Sequence, residues 1–271
     1  MRTLRALFNF YLDASIHVGL AVTALVLVTS LLLNIPAESA LLGFVFFSTI
    51  VCYNFIKYGV EAEKYLIVSK TYHKRIQVFS FLCFAFTVWF AFDLNQSVLL
   101  TIVFLGILCV LYAIPFFPKV GNLRNLARLK IYIVGLVWAG FTVLLPILQM
   151  KIQVDWDVVF LCIQRFVLVI ILMLPFEIRD METDYKELRT IPQTIGIQRT
   201  VLVGVMLTLI FVTLTFFRDE ITYKEIVSRI LLGMVLVITL VLSKKKQSKY
   251  FTSFWIEATP IFWVTLLLLL E

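Results

Sequence analysis

The chain has 271 residues, 61% of them hydrophobic and only 15% charged, with a mean hydropathy of +0.98. A soluble domain is nearer half apolar and a quarter charged, so this composition excludes one and implies bilayer spans. A formal charge of +7 would suggest nucleic acid in a soluble protein. Here the placement of lysine and arginine around the spans accounts for it, and no nucleic-acid partner is expected.

The first thirty-three residues are basic and then apolar, as a signal peptide would be. The apolar run is too long and no small-residue cleavage site follows it, so it is read as a retained first span. Nine apolar blocks then succeed one another, at 16–33, 40–58, 76–92, 98–117, 130–150, 158–176, 201–217, 226–242 and 251–270. Backbone groups cannot stay unpaired in hydrocarbon, so each block predicts a transmembrane helix. The fold class expected is an all-α, polytopic membrane bundle of nine helices, forming a single domain over residues 1–271. The cysteines Cys52, Cys83, Cys109 and Cys162 all fall in or beside apolar blocks and make neither a CxxC pair nor a disulfide framework.

With the N-terminus inside, the inner segments carry nineteen basic residues and the outer ones four: Lys151, Arg218, Lys224 and Arg229. That bias predicts an inside N-terminus and an outside C-terminus. It also makes the connections between spans two and three and between six and seven the long inner ones. Both contain unusual residues. After span two comes CYNFIKYGVEAEKY, in which Asn54, Lys57, Tyr58 and Glu61 share a helical face. Lys57 and Glu61 pair at i+4 or else line a cavity. After span four comes LYAIPFFPKVGNLRNLARLK, where Tyr112 and two prolines end the helix and Lys119 opens a basic run. The positive-inside rule explains those charges; anion capture is the other reading.

After span six the stretch EIRDMETDYKELRTIPQTIG places five carboxylates in eleven positions. Continued as a helix, it would put Glu177, Asp180, Asp184 and Glu187 on one face and let Glu182 pair with Lys186. Mg²⁺ prefers oxygen ligands and is typically held by one or two carboxylates together with substrate phosphates. A DxxxD pair at a membrane surface suits a Mg²⁺–diphosphate; a solvated mixed-charge loop fits equally well. Of the charges within spans, Arg165 and Glu257 are expected to face the bundle interior, hydrogen-bonded to a neighbouring helix or, as the second reading, lining a cavity. His17 is expected to be a satisfied interhelical partner, and Arg229 to snorkel at the outer end of span eight.

These three segments, in this order across nine spans, resemble the UbiA superfamily of intramembrane aromatic prenyltransferases. Asp180, Asp184, then Thr190-Ile191-Pro192, then Gly196 reproduce the order and spacing of that family's second aspartate motif. Its first motif, NDxxDxxxD, is degenerate here. Aligning its asparagine with Asn54 puts Phe55, Tyr58 and Ala62 in the aspartate positions, with Glu61 and Glu63 one residue off the last. The turn after span four keeps Tyr112 but has Phe116 where the family often has lysine, with Lys119 three residues on. The resemblance implies Mg²⁺-assisted transfer of a prenyl group from a prenyl diphosphate to a hydrophobic aromatic or other electron-rich acceptor. It implies Asp180 and Asp184 as catalytic and metal-binding residues with Glu61 as a further ligand. It implies Asn54, Lys57, Tyr112, Lys119 and Arg179 as substrate contacts, Lys57 taking over the charge of a second metal. A UbiA-like binding or scaffold protein without the reaction is the competing reading, and a transporter a more remote one.

Overall fold

The computed structural model describes residues 2–59, 71–113, 129–183 and 188–270 (the side chains of 2, 59 and 71 excepted), all helix and connecting turn with no strand among them. Glu61, Lys119, Asp184, Lys186 and Glu187 lie outside the described residues. Among the described residues eight helices are long and apolar enough to cross a membrane, and counting the bent pair at the N-terminus as one span gives up to nine. The protein is therefore an all-α, multi-pass membrane protein.

In chain order, α1 (Arg2–Asp13) and α2 (Ile16–Leu32) meet at a bend of 54°. The bend has no glycine or proline; Ser15 takes φ 59° and breaks the hydrogen-bond ladder, a conformation costing a non-glycine residue about 1–2 kcal/mol. α1 lies ahead of the nine expected blocks. Its Leu4, Leu7 and Phe8 are exposed, as in a helix lying in the headgroup region. α3 (Ser39–Asn54) ends in a π turn over Phe55–Gly59, and α4 (Thr71–Ala91) returns against it. α5 (Gln96–Ala113) follows, and α6 (Leu129–Ala139) and α7 (Leu145–Gln149) form one span through a π turn at Gly140–Leu144. Then come α8 (Trp156–Asp180), the short α9 (Ile191–Ile195), α10 (Ile197–Thr213), α11 (Tyr223–Leu242) and, after a π turn at Phe251–Ile256, α12 (Thr259–Leu269).

α2 is the shared wall of two apolar clusters. Leu25 and Val28 pack with Leu168, Phe211, Leu236 and Trp263 of α8, α10, α11 and α12. Val18, Val22 and Val26 pack with residues of α3, α5 and α7. Close approach on the α3–α4 side is allowed by Gly43, where a Cβ would meet the Phe90 ring at 2.6 Å. The outer side of α4 presents Phe81, Phe84, Trp89 and Phe92 to lipid, so many of the 25 phenylalanines face the bilayer.

Arg165 is 1% exposed at the centre of this arrangement. Its Nη1 donates to the Leu25 carbonyl (2.8 Å) and Thr142 Oγ1 (3.0 Å), and its Nη2 to Thr29 Oγ1 (3.2 Å). The interhelical role expected for it is therefore observed. The π turn is what exposes the Thr142 carbonyl, which accepts from Thr29 Oγ1 at 2.6 Å. The Trp263 ring sits between two guanidiniums, Arg165 at 5.5 Å and Arg229 at 5.8 Å.

Arg229 does not snorkel: it is 0% exposed and ion-paired to Glu225, which also binds Arg218. Arg218 Nη2 reaches Asp157 at 3.3 Å, and the Asp157 carboxylate accepts from the Asp219 and Glu220 amides. Glu225 lies on α11 itself, four residues before Arg229 and just ahead of the expected block 226–242, while Arg218 and Asp157 come from the turn before α11 and from α8. Removing one member of a buried ion pair strands its partner at a cost of about 3–5 kcal/mol. Glu225→Gln is accordingly expected to lower the thermal unfolding midpoint in detergent strongly, whereas Glu220→Gln at the exposed end of the same turn leaves it unchanged.

Candidate functional site

The alternation of spans brings the ends of α3, α8 and α11 and the beginnings of α2, α4, α10 and the ninth span to one end of the bundle, the end rich in basic residues. Here α8 remains helical to Asp180 and then turns over residues 181–183, with the Thr183 amide bonded to the Asp180 carbonyl. The helix expected to align four carboxylates thus stops at the second of them. Glu177 is 1% exposed, and its Oε2 accepts the Ile191 amide at 3.3 Å. It anchors the Thr190–Pro192 segment to α8 and is not a surface acid. Glu182, expected to pair with Lys186, lies 3.3 Å from Lys245 Nζ.

Arg179 and Asp180 form a fork: Nε to Oδ1 at 2.7 Å and Nη2 to Oδ2 at 2.9 Å. The remaining Nη1 donates to Thr252 Oγ1 in the π turn of the ninth span (2.6 Å), and the guanidinium lies 5.3 Å over Phe176. A side chain held on three sides is pre-positioned for an anion. Behind it, the Thr190 amide donates to Gln193 Oε1, Pro192 starts α9, and Gly196 at φ 81° and ψ 165° turns the chain into α10. Only glycine adopts that backbone without strain.

At the end of α3 the residues that stand in place of the first aspartate motif bind the α1–α2 bend. Asn54 is 3% exposed and gives its amide hydrogens to the Ala14 carbonyl (3.1 Å) and Ser80 Oγ (2.9 Å). Lys57 Nζ donates to Ser15 Oγ (2.9 Å), and the Tyr58 hydroxyl to the Asp13 carbonyl (3.1 Å). The Asp13 carboxylate in turn accepts from the Tyr72 hydroxyl at 2.9 Å and lies 3.7 Å from Lys249 Nζ. Sequence reasoning missed this bend, although Asp13 and Ser15, polar residues at the head of the first apolar block, were its visible signal. His17 is satisfied as expected: Nε2 lies 2.9 Å from the Phe254 carbonyl and Nδ1 is 2.6 Å from the Tyr11 hydroxyl.

Lys57 is exposed and Glu257 half-buried at this end of the bundle, bordering the candidate recess. Lys57 and Arg179 are the cations acting on the Glu257 carboxylate, and Glu257 acts in turn on Tyr11 and Tyr53. Tyr112 is buried beside this group, within electrostatic reach of Tyr53. The Tyr53 hydroxyl accepts from Trp138 Nε1 at 3.0 Å, and both residues line an apolar cavity of about 50 Å³ with Val22, Thr49, Cys52 and Phe141. Lys57 is thus within electrostatic reach of Arg179, to which Asp180 is forked, and Asn54 braces the α1–α2 bend.

For Mg²⁺ the donor set fits at one side only. Asp180 offers hard oxygen at the α8 end, and its sequence partner Asp184 lies outside the described residues. The described part of the α3 end offers an amide, an ammonium and a phenol, and no cluster of three acids, histidines or cysteines occurs among the described residues. One ion shared with substrate phosphates suits such a site.

No protein-family profile matches the chain, and no curated protein matches it in sequence. Solved structures do. The chain has the fold of the UbiA-type intramembrane prenyltransferases. A structure described for digeranylgeranylglyceryl phosphate synthase in membranes is 15% identical, with a TM-score of 0.56 over 97% of this chain and 96% of that one. The UbiA homologue of Archaeoglobus fulgidus bound to DMAPP and Mg²⁺ is 13% identical, with a TM-score of 0.55 over 96% and 94% of the two chains. The form of that homologue bound to GPP and Mg²⁺ gives 12% and 0.51 over the same shares.

The backbone at Gly196 generates a direct test. Gly196→Ala meets no atom within 4 Å, so any effect comes from its φ. The variant is expected to lose about 1–3 kcal/mol in denaturant unfolding through backbone strain.

Proposed function

We propose that the chain is a UbiA-type membrane prenyltransferase that moves a prenyl group from a prenyl diphosphate to an electron-rich acceptor. The observation that supports this reading is the fold itself, shared over 97% of the chain, with Lys57 of the π turn after α3 within electrostatic reach of the Arg179–Asp180 fork of α8. The A. fulgidus homologue binds DMAPP or GPP with Mg²⁺, and we assign the same ligand class to this recess.

In this scheme Lys57 and Arg179 take the diphosphate oxygens. Both are single side chains already fixed by a hydroxyl, Ser15 Oγ and Thr252 Oγ1, so little rotamer freedom is lost on binding. Asp180 and Asp184 hold Mg²⁺, which would neutralise charge on the departing diphosphate. With Phe55, Tyr58 and Ala62 in place of the first motif's aspartates, Lys57 supplies the positive charge on the α3 side. The prenyl chain runs toward the apolar cavity beside Tyr53 and Trp138, where aromatic faces shield the allylic centre from water. Tyr112, buried next to Tyr53, belongs to the same wall. The Asn54 contact with substrate is indirect, through the bend it holds.

Calorimetric titration of the detergent-solubilised protein with geranyl diphosphate tests this reading. Binding is expected only with Mg²⁺ and should fall about tenfold or more in Lys57→Ala, the loss of one charge-assisted contact to phosphate. Asp180→Ala should abolish the Mg²⁺ dependence. A protein that binds no prenyl diphosphate under these conditions has kept the fold without the reaction.

We further propose that the basic end, with the N-terminus, is cytoplasmic and the C-terminus outside, on the nineteen-to-four distribution of basic residues. A membrane-impermeant maleimide applied to intact cells is expected to label Glu220→Cys and to leave Lys245→Cys unlabelled until the cells are opened.

A further inference from the structure

The end of the bundle opposite the basic one holds a cavity of about 990 Å³ that the scheme above does not use. It opens among the last residues of α2 and α12 and the first residues of α8 and α11. Its most deeply buried wall is apolar, formed by Ile147, Val158 and Leu267. The half-buried Ile35 and Leu270 continue that wall toward the surface. The polar wall carries both signs of charge, with Asp155, Asp157, Asp219 and Glu220 against Arg218 and Lys224.

This polar wall is held in place by the protein's own bonds. The buried Asp157 carboxylate accepts the Asp219 amide at 2.7 Å, the Glu220 amide at 3.3 Å and Arg218 Nη2 at 3.3 Å. The turn over 218–220 is therefore pinned through its backbone, and the side chains of Asp219 and Glu220 stay exposed at the mouth. Among the described residues neither of those two carboxylates has an ion-pair partner. Arg218 is 5% exposed; Glu225 and Asp157 take its two Nη groups, and its Nε has no acceptor.

The arrangement selects its ligand. Unpaired carboxylates call for a cation, and among the described residues no three acids come together to hold a metal ion. An ammonium, with three N–H donors, bonds to carboxylates that stand apart. A simple amine leaves Arg218 and Lys224 without a complement, and a simple anion does the same for the acids. A headgroup with both an ammonium and a phosphate complements the two sets, and its hydrocarbon chains match the apolar wall. We propose that this cavity binds a phospholipid with a primary ammonium headgroup, of the phosphatidylethanolamine kind. The ammonium donates to Asp219 and Glu220, the phosphate accepts from Lys224 and Arg218, and the chains leave past Ile35 and Leu270. A choline headgroup has no N–H to give to the carboxylates and binds more weakly. The site is separate from the recess and does not rest on the transferase reading.

The test titrates the full-length protein, purified in detergent and depleted of lipid, with dioleoyl phospholipids followed by native mass spectrometry. Phosphatidylethanolamine is expected to bind about tenfold or more tightly than phosphatidylcholine or phosphatidylglycerol, the worth of charge-assisted hydrogen bonds to the headgroup. The double variant Asp219→Asn with Glu220→Gln should lose that preference. It keeps the amides that Asp157 holds, so an unfolding midpoint equal to that of the wild type in lipid-free detergent shows that it is folded. Lys224→Gln should weaken phosphatidylethanolamine binding about tenfold. Equal binding of phosphatidylethanolamine and phosphatidylcholine by the wild type overturns the proposal, as does an undiminished preference in the double variant. Octylamine that competes as strongly as phosphatidylethanolamine itself also overturns it, by making the cavity a site for lipophilic amines without phosphate.

Discussion

The recess depends on how the end of α3 grips the bend between α1 and α2. Asn54, Lys57 and Tyr58 reach three successive residues there, the Ala14 carbonyl, Ser15 Oγ and the Asp13 carbonyl, and Ser15 is held with a positive φ that a free chain would avoid. Left-handed backbone at a non-glycine residue persists only where neighbours over-determine it. Once held, the bend lays α1 over the basic end, presents Tyr11 to His17, and connects through His17 to the π turn of the ninth span. Three elements that meet the recess are thereby fixed by a handful of polar bonds near the membrane surface. Their geometry matters because the low dielectric there strengthens each satisfied bond and penalises each missing one.

That use of span two changes the charge balance of the recess. Where carboxylates would draw in metal ions, an amide, an ammonium and a phenol are tied to backbone and hydroxyl groups of the bend. The α8 side keeps a carboxylate, but Asp180 is forked to Arg179, so each side contributes a fixed cation. The π turn of the ninth span serves both halves, holding Arg179 through Thr252 Oγ1 and His17 through the Phe254 carbonyl.

Elsewhere the bundle deals with its interior charges by complete pairing or by distribution. Glu225 stands between Arg218 and Arg229, with Asp157 closing the group. Arg165 spreads its charge over a carbonyl, two threonine hydroxyls and the Trp263 ring.

The sequence by itself determined the spans, their number and their alternation, because hydrocarbon leaves the backbone no choice but helix and the apolar blocks are long and unbroken. It determined too which end is basic, and it showed the Asp180–Gly196 motif, because that motif is local and its spacing is set by one helix end and one tight turn. What only the tertiary structure decided is what each polar residue does once the helices are packed. Glu177 and Asp180 are three residues apart, yet one secures the chain entering α9 and the other faces the recess. Asn54 carries the motif's asparagine but braces a bend forty residues earlier. Arg229 sits at a helix end where snorkelling was open to it, and instead meets an acid in a buried group. Glu177 and Asn54 find their partners on other segments, and the Glu225 that Arg229 meets on its own helix is held in the interior by Arg218, which Asp157 of α8 also binds. Hydropathy places a residue at a depth in the bilayer; only the packing of one helix on the next says which side it faces and what it finds there.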